Sequence, residues 1–285
     1  MAPTVAVIAP GAMGAAVGRR LAVNGVRVLT VLEGRGPESA RRAAEAGMVP
    51  VELEALTGAD IILSIVPPGS AHELAERLLP VLARAEAKPL YADCNAINPQ
   101  TVKRVEAVVT AAYTPFVDAG IIGGPPAVDG RYTPVFYASG DAAPRLARLN
   151  DYGLDVRPIE GGVGAASALK MCYAGLTKGT TAVATAVMLA AVRAGVDKHL
   201  HAELAASQPS ALKRAEVRIP DMLPKAYRWV AEMEEIAAFL GPPGGDGMFE
   251  GAARLYERMA ADQAGGGAEV EALLGFLGMG TPSTE

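Results

Sequence analysis

Lys170 stands in an otherwise apolar segment that is predicted to form a long helix, and its position needs a chemical reason. At helical spacing it shares one face with Tyr173, Thr177 and Thr181, while the other faces carry Ala, Leu, Val and Met. Burying an ammonium group is unfavourable by several kcal/mol unless the group is paired or loses its proton. The stripe therefore predicts a helix that lines a cleft. In the alternative, Lys170 extends to solvent and the threonines have no special role.

A glycine-rich turn near the start of the chain predicts a dinucleotide site. A predicted strand at 5–8 leads into the letters APGAMG at 9–14, and a helix follows. This is the fingerprint G-x-G-x-x-G with alanine in the first place. Gly11, Ala12 and Met13 are expected to approach a pyrophosphate at the helix N-terminus, and Gly14 lets helix and strand pack closely. The alternative is a plain strand-to-helix turn that needs glycine for packing alone.

The end of the second predicted strand, Glu33, Gly34 and Arg35, bears on the choice of cofactor. Glu33 would bind the ribose hydroxyls and favour NAD, whereas Arg35 would bind a 2′-phosphate and favour NADP. We predict NADP, with NAD as the alternative, since Glu33 can point away from the site. The turns after later strands are expected to face the cofactor too. Their candidate cofactor-binding residues are Val66, Pro67, Pro68 and Asn95, and a further turn runs from Asp118 to Gly124.

Strands and helices alternate through the first half of the chain, which predicts a parallel sheet covered by helices on both faces. The predicted strands lie at 5–8, 27–32, 61–66, 90–93, 113–119, 135–139 and 155–159. After Gly161 only helical segments follow, at about 164–194, 199–206, 209–217, 221–240, 247–262 and 268–277. The fold class is therefore α/β, with a Rossmann-type doubly wound sheet at 1–161. An all-α domain for substrate binding and dimerisation is expected at 162–280, with a flexible tail at 281–285.

Composition excludes several classes of function. The net charge is −5 and the chain has no basic block, which argues against a nucleic-acid surface. The two cysteines lie far apart, the N-terminus reads as a strand, and the longest uncharged apolar run is shorter than a membrane span. We expect a soluble cytoplasmic protein that does not act on membranes. The three histidines, His72, His199 and His201, are not spaced to bind a metal.

Five motifs in register resemble the β-hydroxyacid dehydrogenase superfamily, which includes 6-phosphogluconate, 3-hydroxyisobutyrate and tartronate-semialdehyde dehydrogenases. They are GAMG at 11–14, VPP at 66–68, DCNAINP at 93–99, DAGIIGG at 118–124, and the run from Gly164 to Lys170. The later stretch around Arg228-Trp229 and Glu232 to Ile236 resembles a poorly characterised branch with its own helical C-terminal domain. The resemblance implies a nicotinamide cofactor and a small-molecule substrate.

The substrate contacts depart from the pattern of the superfamily. Ile122 stands where a substrate-binding serine is usual, and Ala174 stands where the superfamily usually has asparagine. Lys170 itself is present, which argues against the related imine reductases, where lysine is typically replaced. The resemblance therefore implies the hydride chemistry of the superfamily but a substrate other than its well-known hydroxyacids.

The resemblance implies an alcohol oxidation, or the reverse carbonyl reduction, with Lys170 as general acid/base. We expect the pKa of Lys170 to fall toward neutrality through burial and a nearby helix N-terminus, with Tyr173 bonding to Lys170 or the substrate. Gly123 and Gly124 would offer backbone N–H groups to an anionic substrate group. Further candidates for binding the substrate are Thr177, Arg228 and Lys225.

Two other functions remain open: an imine reductase or reductive aminase on the same fold, and a non-catalytic cofactor-binding protein. The helical half is poor in bulky side chains, and relatives bury such helices against a partner subunit. We therefore predict a homodimer.

Overall fold

The computed structural model describes residues 2–279, so the predicted tail at 281–285 lies outside the described residues. The chain divides into two compact units, Met1–Met171 and Cys172–Glu285. The boundary predicted at residue 161 falls before the long helix, whereas the division in the structure falls within that helix. The start of the helix, with Lys170, therefore belongs to the first unit.

Eight strands form one sheet in the first unit. They are β1 (Thr4–Ile8), β2 (Arg27–Thr30), β3 (Val49–Pro50), β4 (Ile61–Ser64), β5 (Leu90–Asp93), β6 (Phe116–Ile122), β7 (Val135–Ser139) and β8 (Asp155–Pro158). Their order is β3-β2-β1-β4-β5-β6-β7-β8, and only the β6–β7 pair is antiparallel. Strands β1 to β6 run in one direction, and β7 and β8 run in the opposite direction. This mainly parallel sheet, followed by helices, confirms the predicted fold class.

Three strand predictions were displaced, and one strand was missed; β4 ends at Ser64, before the predicted end at Val66. Strand β6 was expected to start at Tyr113, but Tyr113 has a φ of 56° and belongs to the turn that ends the preceding helix. Strand β2 ends at Thr30, before the predicted end at Leu32. The missed strand β3 has two residues, one of them Pro50, which has no N–H to give the sheet.

Helices cover both faces of the sheet. They are α1 (Ala12–Val23), α2 (Pro37–Glu45), α3 (Ala71–Arg84), α4 (Pro99–Thr110) and α5 (Ala143–Leu146). Alternate residues of β1 serve the two faces: Val5 and Val7 pack with α1, α2 and α5, whereas Ala6 and Ile8 pack with α3 and α4. Each face thus has its own apolar core, as a doubly wound sheet requires.

Within the described residues no strand follows β8. The remaining helices are α6 (Ala165–Arg193), α7 (Asp197–Ser207), α8 (Pro209–Met222), α9 (Ala226–Leu240), α10 (Gly245–Ala264) and α11 (Ala268–Phe276). Helices α9 and α10 pack through Trp229 and Tyr256, whose rings meet edge to face at 5.2 Å. Helical segments were predicted at 209–217 and 221–240, but α8 continues through Pro220 to Met222. The all-helical character of this part of the chain agrees with the prediction.

Helix α6 is long and apolar enough, by length and composition alone, to cross a membrane. The core helix of a soluble protein passes the same test, so this property carries little weight. The helix also carries charged side chains, namely Lys170 near its start, Lys178 in its middle, which pairs with Glu232, and Arg193 at its end.

Candidate active site

The turn between β1 and α1 has the geometry that a dinucleotide requires. A Cβ atom on Gly14 would lie 2.0 Å from the carbonyl oxygen of Ala9, so only glycine permits this packing of helix on strand. A Cβ atom on Gly11 would meet no atom within 4 Å. Helix α1 has neither a side-chain N-cap bond nor an acidic residue in its first turn. Its first N–H groups can therefore bind an anion such as a pyrophosphate.

The turn after β2 carries an exposed cationic side chain, Arg35. Glu33 forms an ion pair with Arg77 of α3, so its carboxylate is directed to that helix. Gly34 has a φ of 70°, which turns the chain there, and Arg35 follows it as an exposed residue. Sequence reasoning missed Arg77, because its partnership with Glu33 depends on the packing of α3.

Asn95 joins the ends of β4 and β5. Its side-chain oxygen accepts a hydrogen bond from the N–H of Val66 at 2.7 Å, and its amide nitrogen donates to Ser64 Oγ and to Asp93, both at 2.9 Å. Asn95 is buried, so its amide is fully engaged with the protein. It thereby positions Val66 and the turn that continues through Pro67 and Pro68. The role predicted for Asn95 in the sequence was direct contact with cofactor.

Four polar residues form a row across the sheet at this edge. Ser64, Asp93, Asp118 and Ser139 are register partners on β4, β5, β6 and β7, and all four are buried. Burial raises the pKa of Asp93 to about 7, and the nearby Asp118 adds to the rise, whereas bonds from Asn95 and the charge of Lys170 oppose it. The row lies level with the carboxyl ends of β4 and β5, at the edge where ligands of such sheets bind.

Asp118 fixes the start of α6. Its carboxylate accepts hydrogen bonds from the N–H groups of Gly164 and Ser167 at 2.9 and 3.0 Å, and from Ser167 Oγ at 2.7 Å. Ser139 Oγ donates to the same carboxylate at 3.1 Å and accepts from the N–H of Ala166 at 3.0 Å. A negative charge at a helix N-terminus is favourable. The first turn of α6 is therefore fixed to the sheet.

Lys170 lies over β6 as a result. A Cβ atom on Gly120 would be 2.8 Å from the carbonyl oxygen of Ala166 and 3.1 Å from the Cβ of Lys170. Because Gly120 has no side chain, the turn of α6 that carries Lys170 can pack closely against β6. Lys170 is half-buried, and its charge lowers the pKa values of Asp93 and of the Cys94 thiol, both of which burial raises.

The other polar residues of the lysine face differ in their surroundings. The Tyr173 side chain is 47% exposed. Thr177 Oγ1 donates to the carbonyl oxygen of Tyr173 at 2.9 Å, and Thr181 Oγ1 donates to that of Thr177 at 2.9 Å. These hydroxyl protons are engaged within the helix, as is common for threonine in helices. A bound molecule would therefore find only acceptor capacity at Thr177.

The loop of residues 123–134, which we call the β6–β7 loop, uses the amide that was predicted to bind substrate. The N–H of Gly124 donates to the hydroxyl of Tyr132 at 3.0 Å. Gly123 has a φ of 130° and is exposed. The prediction that Gly124 offers a free N–H is therefore wrong for this structure, since Tyr132 occupies it. Sequence reasoning had given Tyr132 no role.

In the helical unit, Arg228 lies over the ring of Tyr227 at 5.8 Å, and Lys225 pairs with Asp221. Lys178 pairs with Glu232, and its Nζ lies 4.7 Å from the centre of the Trp229 ring. Burial lowers the pKa of Lys178, while Glu232 opposes the change. The sequence did not identify Lys178 as a buried residue, because nothing in its position along α6 distinguishes it from an ordinary helical lysine.

Comparison with known proteins agrees with this architecture. Residues 4–145 match the family model for the NAD binding domain of 6-phosphogluconate dehydrogenase, and residues 191–259 match a domain of unknown function, DUF1932. The chain belongs to the β-hydroxyacid dehydrogenase superfamily. Its first unit is thus an NAD(P)-binding Rossmann domain of a superfamily of oxidoreductases.

One relative extends along nearly the whole chain, and another matches part of it. MTH1747, a conserved protein of unknown function described as structurally similar to 3-hydroxyacid dehydrogenases, is 28% identical, with 91% of this chain and 98% of that one covered and a TM-score of 0.68. An uncharacterised 28.5 kDa protein of Methanothermus fervidus is 27% identical over 173 residues, 60% of this chain. The matched region spans 64% of the length of that relative.

More distant structures share the fold. The 3-hydroxyisobutyrate dehydrogenase of Mycobacterium tuberculosis, solved with L-serine, is 22% identical, with 93% and 96% of the two chains covered and a TM-score of 0.70. An imine reductase of Myxococcus stipitatus in complex with NADP+ is 18% identical, with 96% and 100% covered and a TM-score of 0.59. Enzymes of both classes considered from the sequence, hydroxyacid dehydrogenases and imine reductases, therefore share this fold.

Proposed function

We propose that the protein transfers hydride between NADP(H) and a small hydroxyacid-like alcohol or its carbonyl, with Lys170 as the general acid/base. The observation that carries the proposal is the attachment of Lys170 to the strand end of an NAD-binding sheet. Asp118 binds the first turn of α6, and Gly120 admits Lys170 against β6. These contacts support a proton-transferring role for Lys170, because ligands of such sheets bind at this edge.

The nicotinamide ring would supply or accept the hydride at the substrate carbon. Gly11, Ala12 and Met13 would hold the pyrophosphate at the start of α1. Asn95 would keep Val66 and the prolines in place beside the cofactor. Lys170 would take the proton from the alcohol oxygen during oxidation, or return it during reduction, and Tyr173 would bond to that oxygen or to the amine. Thr177 and Arg228 are further candidates for contact with the substrate.

Titration with NADPH, followed by cofactor fluorescence, tests the first part of the proposal. Gly11→Val would fill the open space at the turn, so we expect strongly weakened binding in a protein that is still folded. A screen of hydroxyacids, polyols and aldehydes with both cofactors then tests turnover. Unchanged NADPH affinity in folded Gly11→Val would contradict the site.

Cofactor preference is proposed to depend on Arg35. The pairing of Glu33 with Arg77 supports NADP, because it engages the carboxylate that would otherwise bind the ribose hydroxyls. Arg35→Ser should remove a charge-assisted contact with the 2′-phosphate, worth roughly 1.5–3 kcal/mol. We expect NADPH affinity to fall while NADH affinity barely changes. Equal losses for both cofactors would assign Arg35 a structural role.

The imine reductase alternative is supported by the shared fold alone. Amine-dependent consumption of NADPH without ketone or alcohol turnover would favour it. The presence of Lys170 favours the dehydrogenase, because the sequence resemblance implies that imine reductases typically have another residue at this position.

A homodimer is also proposed. The exposed apolar side chains Leu169, Tyr173, Leu176, Val183 and Val187 recur along α6 at intervals of three, four or seven residues. Such a seam resembles the apolar stripe of paired helices. Light scattering should give twice the chain mass of 29.3 kDa, and a monomer at micromolar concentration would contradict the proposal.

A further inference from the structure

A cavity of about 500 Å³ lies beside helix α1, within the sheet unit. It is lined by one face of α1, by Arg42 and Glu45 of α2, and by residues 126–130 of the β6–β7 loop. Of the residues proposed above to bind cofactor or substrate, only Ala12 belongs to this lining. Pockets that hold small organic molecules have volumes of about 300–1,000 Å³, so one such molecule would fit here.

Two neighbouring arginines of α1 line the cavity without a carboxylate partner. The Nε atom of Arg19 is buried and has no hydrogen-bond partner among residues 2–279. The Arg20 guanidinium donates to the carbonyl oxygens of Tyr132 at 2.9 Å, and of Ala127 and Gly130 at 3.3 Å. These carbonyl groups are neutral, so they hold the loop without balancing the charge of Arg20. A buried donor without a partner is unfavourable, and a bound acceptor would relieve it.

The charges that α2 contributes are balanced within α2. Glu45 pairs with Arg41 at 2.6 Å, and Arg42 pairs with Glu38 at 2.9 Å. The four side chains carry two positive and two negative charges. They therefore leave no net charge to neutralise the arginines of α1.

The acidic residue of the loop also has a cation beside it. Asp129 lies 3.7 Å from Arg131, its neighbour but one in the chain. Asp129 is the last of the lining carboxylates, since Glu45 is already paired. The charges of Arg19 and Arg20 are thus the part of the lining that an anionic ligand would balance.

The rest of the lining is mainly apolar. Val23 and Val128 both line the cavity, and they are 74% and 80% exposed. Val23 follows Arg19 by four residues, which places the two on one face of α1. Exposed apolar side chains gain free energy when an apolar group covers them. The lining therefore suits a molecule that joins an anionic group to an apolar body.

We propose that this cavity binds a small organic phosphate monoester, with Arg19 bonding to the phosphate and the two valines covering the organic part. A phosphate monoester carries close to two negative charges at neutral pH, which matches the two arginine charges of α1. The planar guanidinium also suits the geometry of phosphate oxygens. The inference goes beyond the proposed function and does not depend on it, because the lining excludes Lys170.

The test compares phenyl phosphate with inorganic phosphate and benzoate in calorimetric titrations. Each titration is made with and without saturating NADPH, which keeps the probes out of the cofactor site. Inorganic phosphate lacks the apolar body, and benzoate has one negative charge. We expect phenyl phosphate to bind at least about 10-fold more tightly than either, with the same affinity in both series.

Variants then locate the binding. Arg19→Gln should weaken phenyl phosphate binding about 10- to 100-fold, as for a hydrogen bond to a charged group. Arg84→Gln is the matched control, since Arg84 is exposed and lies in α3, on the other face of the sheet; it should change no probe. Val128→Ser should weaken phenyl phosphate roughly 3- to 10-fold and leave inorganic phosphate unchanged. In NMR spectra, the Nε–H signal of Arg19, identified by its loss in Arg19→Gln, should shift when phenyl phosphate is added.

Equal phenyl phosphate affinity in Arg19→Gln and Arg84→Gln would overturn the inference, as would benzoate binding as tightly as phenyl phosphate. Loss of phenyl phosphate binding when NADPH is saturating would place the probe in the cofactor site, which overturns the inference and leaves the proposed function standing. If NADPH itself does not bind, the proposed function is overturned, whereas phenyl phosphate binding that depends on Arg19 would still support this site.

Discussion

Two lysines on helix α6, Lys170 and Lys178, lie two turns apart and have opposite surroundings. Lys170 is half-buried at the start of the helix, where polar groups of the sheet hold the backbone. Lys178 lies in the helical unit, paired with Glu232 and covered by Trp229. The first is positioned through its backbone, whereas the second is held through its own ammonium group.

Under the proposed function, this difference would separate a residue that exchanges protons from one that serves packing. A general acid/base must exchange its proton with a ligand, so its amine needs access. The ion pair of Lys178, with side chains 17% and 18% exposed, satisfies the charge inside the protein and leaves little access. The variants below are chosen to test whether the two lysines divide activity and stability in this way.

The largest effect is expected for Lys170→Met. Methionine keeps the apolar stem but has no proton to exchange, so turnover on a substrate found in the screen should fall roughly 10²- to 10⁴-fold. NADPH affinity and the free energy of unfolding should stay close to native values. Steady-state kinetics measures turnover, fluorescence titration measures NADPH affinity, and urea denaturation measures the free energy of unfolding. Normal turnover would make Lys170 a helix residue that extends to solvent, and Tyr173→Phe would become the next variant.

Lys178→Met should show the reverse. It leaves the Glu232 carboxylate largely buried without its partner, which should lower the free energy of unfolding by about 2–4 kcal/mol. Urea denaturation measures the loss. The double variant Lys178→Met/Glu232→Leu should recover most of it, because no lone charge remains. A stable Lys178→Met protein with strongly reduced turnover would instead assign the chemistry to Lys178 and break the comparison.

The smallest effect concerns pH. Asp93 has a pKa raised to about 7 in the folded protein, against about 4 in an unfolded chain. Between these values the folded state holds a proton that the unfolded state has released. The free energy of unfolding should therefore decrease as the pH rises from about 4 to 7. Asp93→Asn should flatten this part of the curve.

The charge of Lys170 lowers the pKa of Asp93, so Lys170→Met should raise it further and extend the decrease to higher pH. Lys178→Met should leave the Asp93 titration in place. Chemical denaturation across pH 4.5–8 measures the profiles. If both lysine variants shift the Asp93 titration equally, Lys170 has no special electrostatic relation to the sheet edge.

Local sequence predicted much of the fold, because its signals are local. Alternating apolar strands and the glycine turn at 11–14 each act over a few residues. The start of β6 was predicted too early. Tyr113 has a left-handed backbone conformation, which is unusual for a non-glycine residue and which its residue type does not predict.

The site was harder to predict, because its polar groups meet across the sheet. The row of Ser64, Asp93, Asp118 and Ser139 depends on the register of four strands. The hydroxyl of Tyr132 reaches Gly124 through a loop that Arg20 holds from a distant helix. Motif spacing located Lys170 and the glycine turn. It could not reveal that Asn95 binds the protein, or that the Gly124 amide is already engaged.

If cofactor preference depends on Arg35 as proposed, the ion pair between Glu33 and Arg77 would make that preference an epistatic property of the chain. Losing Arg35 alone would leave Glu33 committed to Arg77, so the variant would lose NADP without gaining a partner for the NAD ribose. Losing Arg77 alone would release Glu33 beside an arginine that still favours phosphate. An evolutionary path from one cofactor to the other therefore passes through intermediates that serve neither well. Residues on the turn after β2 and on helix α3 would have to change together.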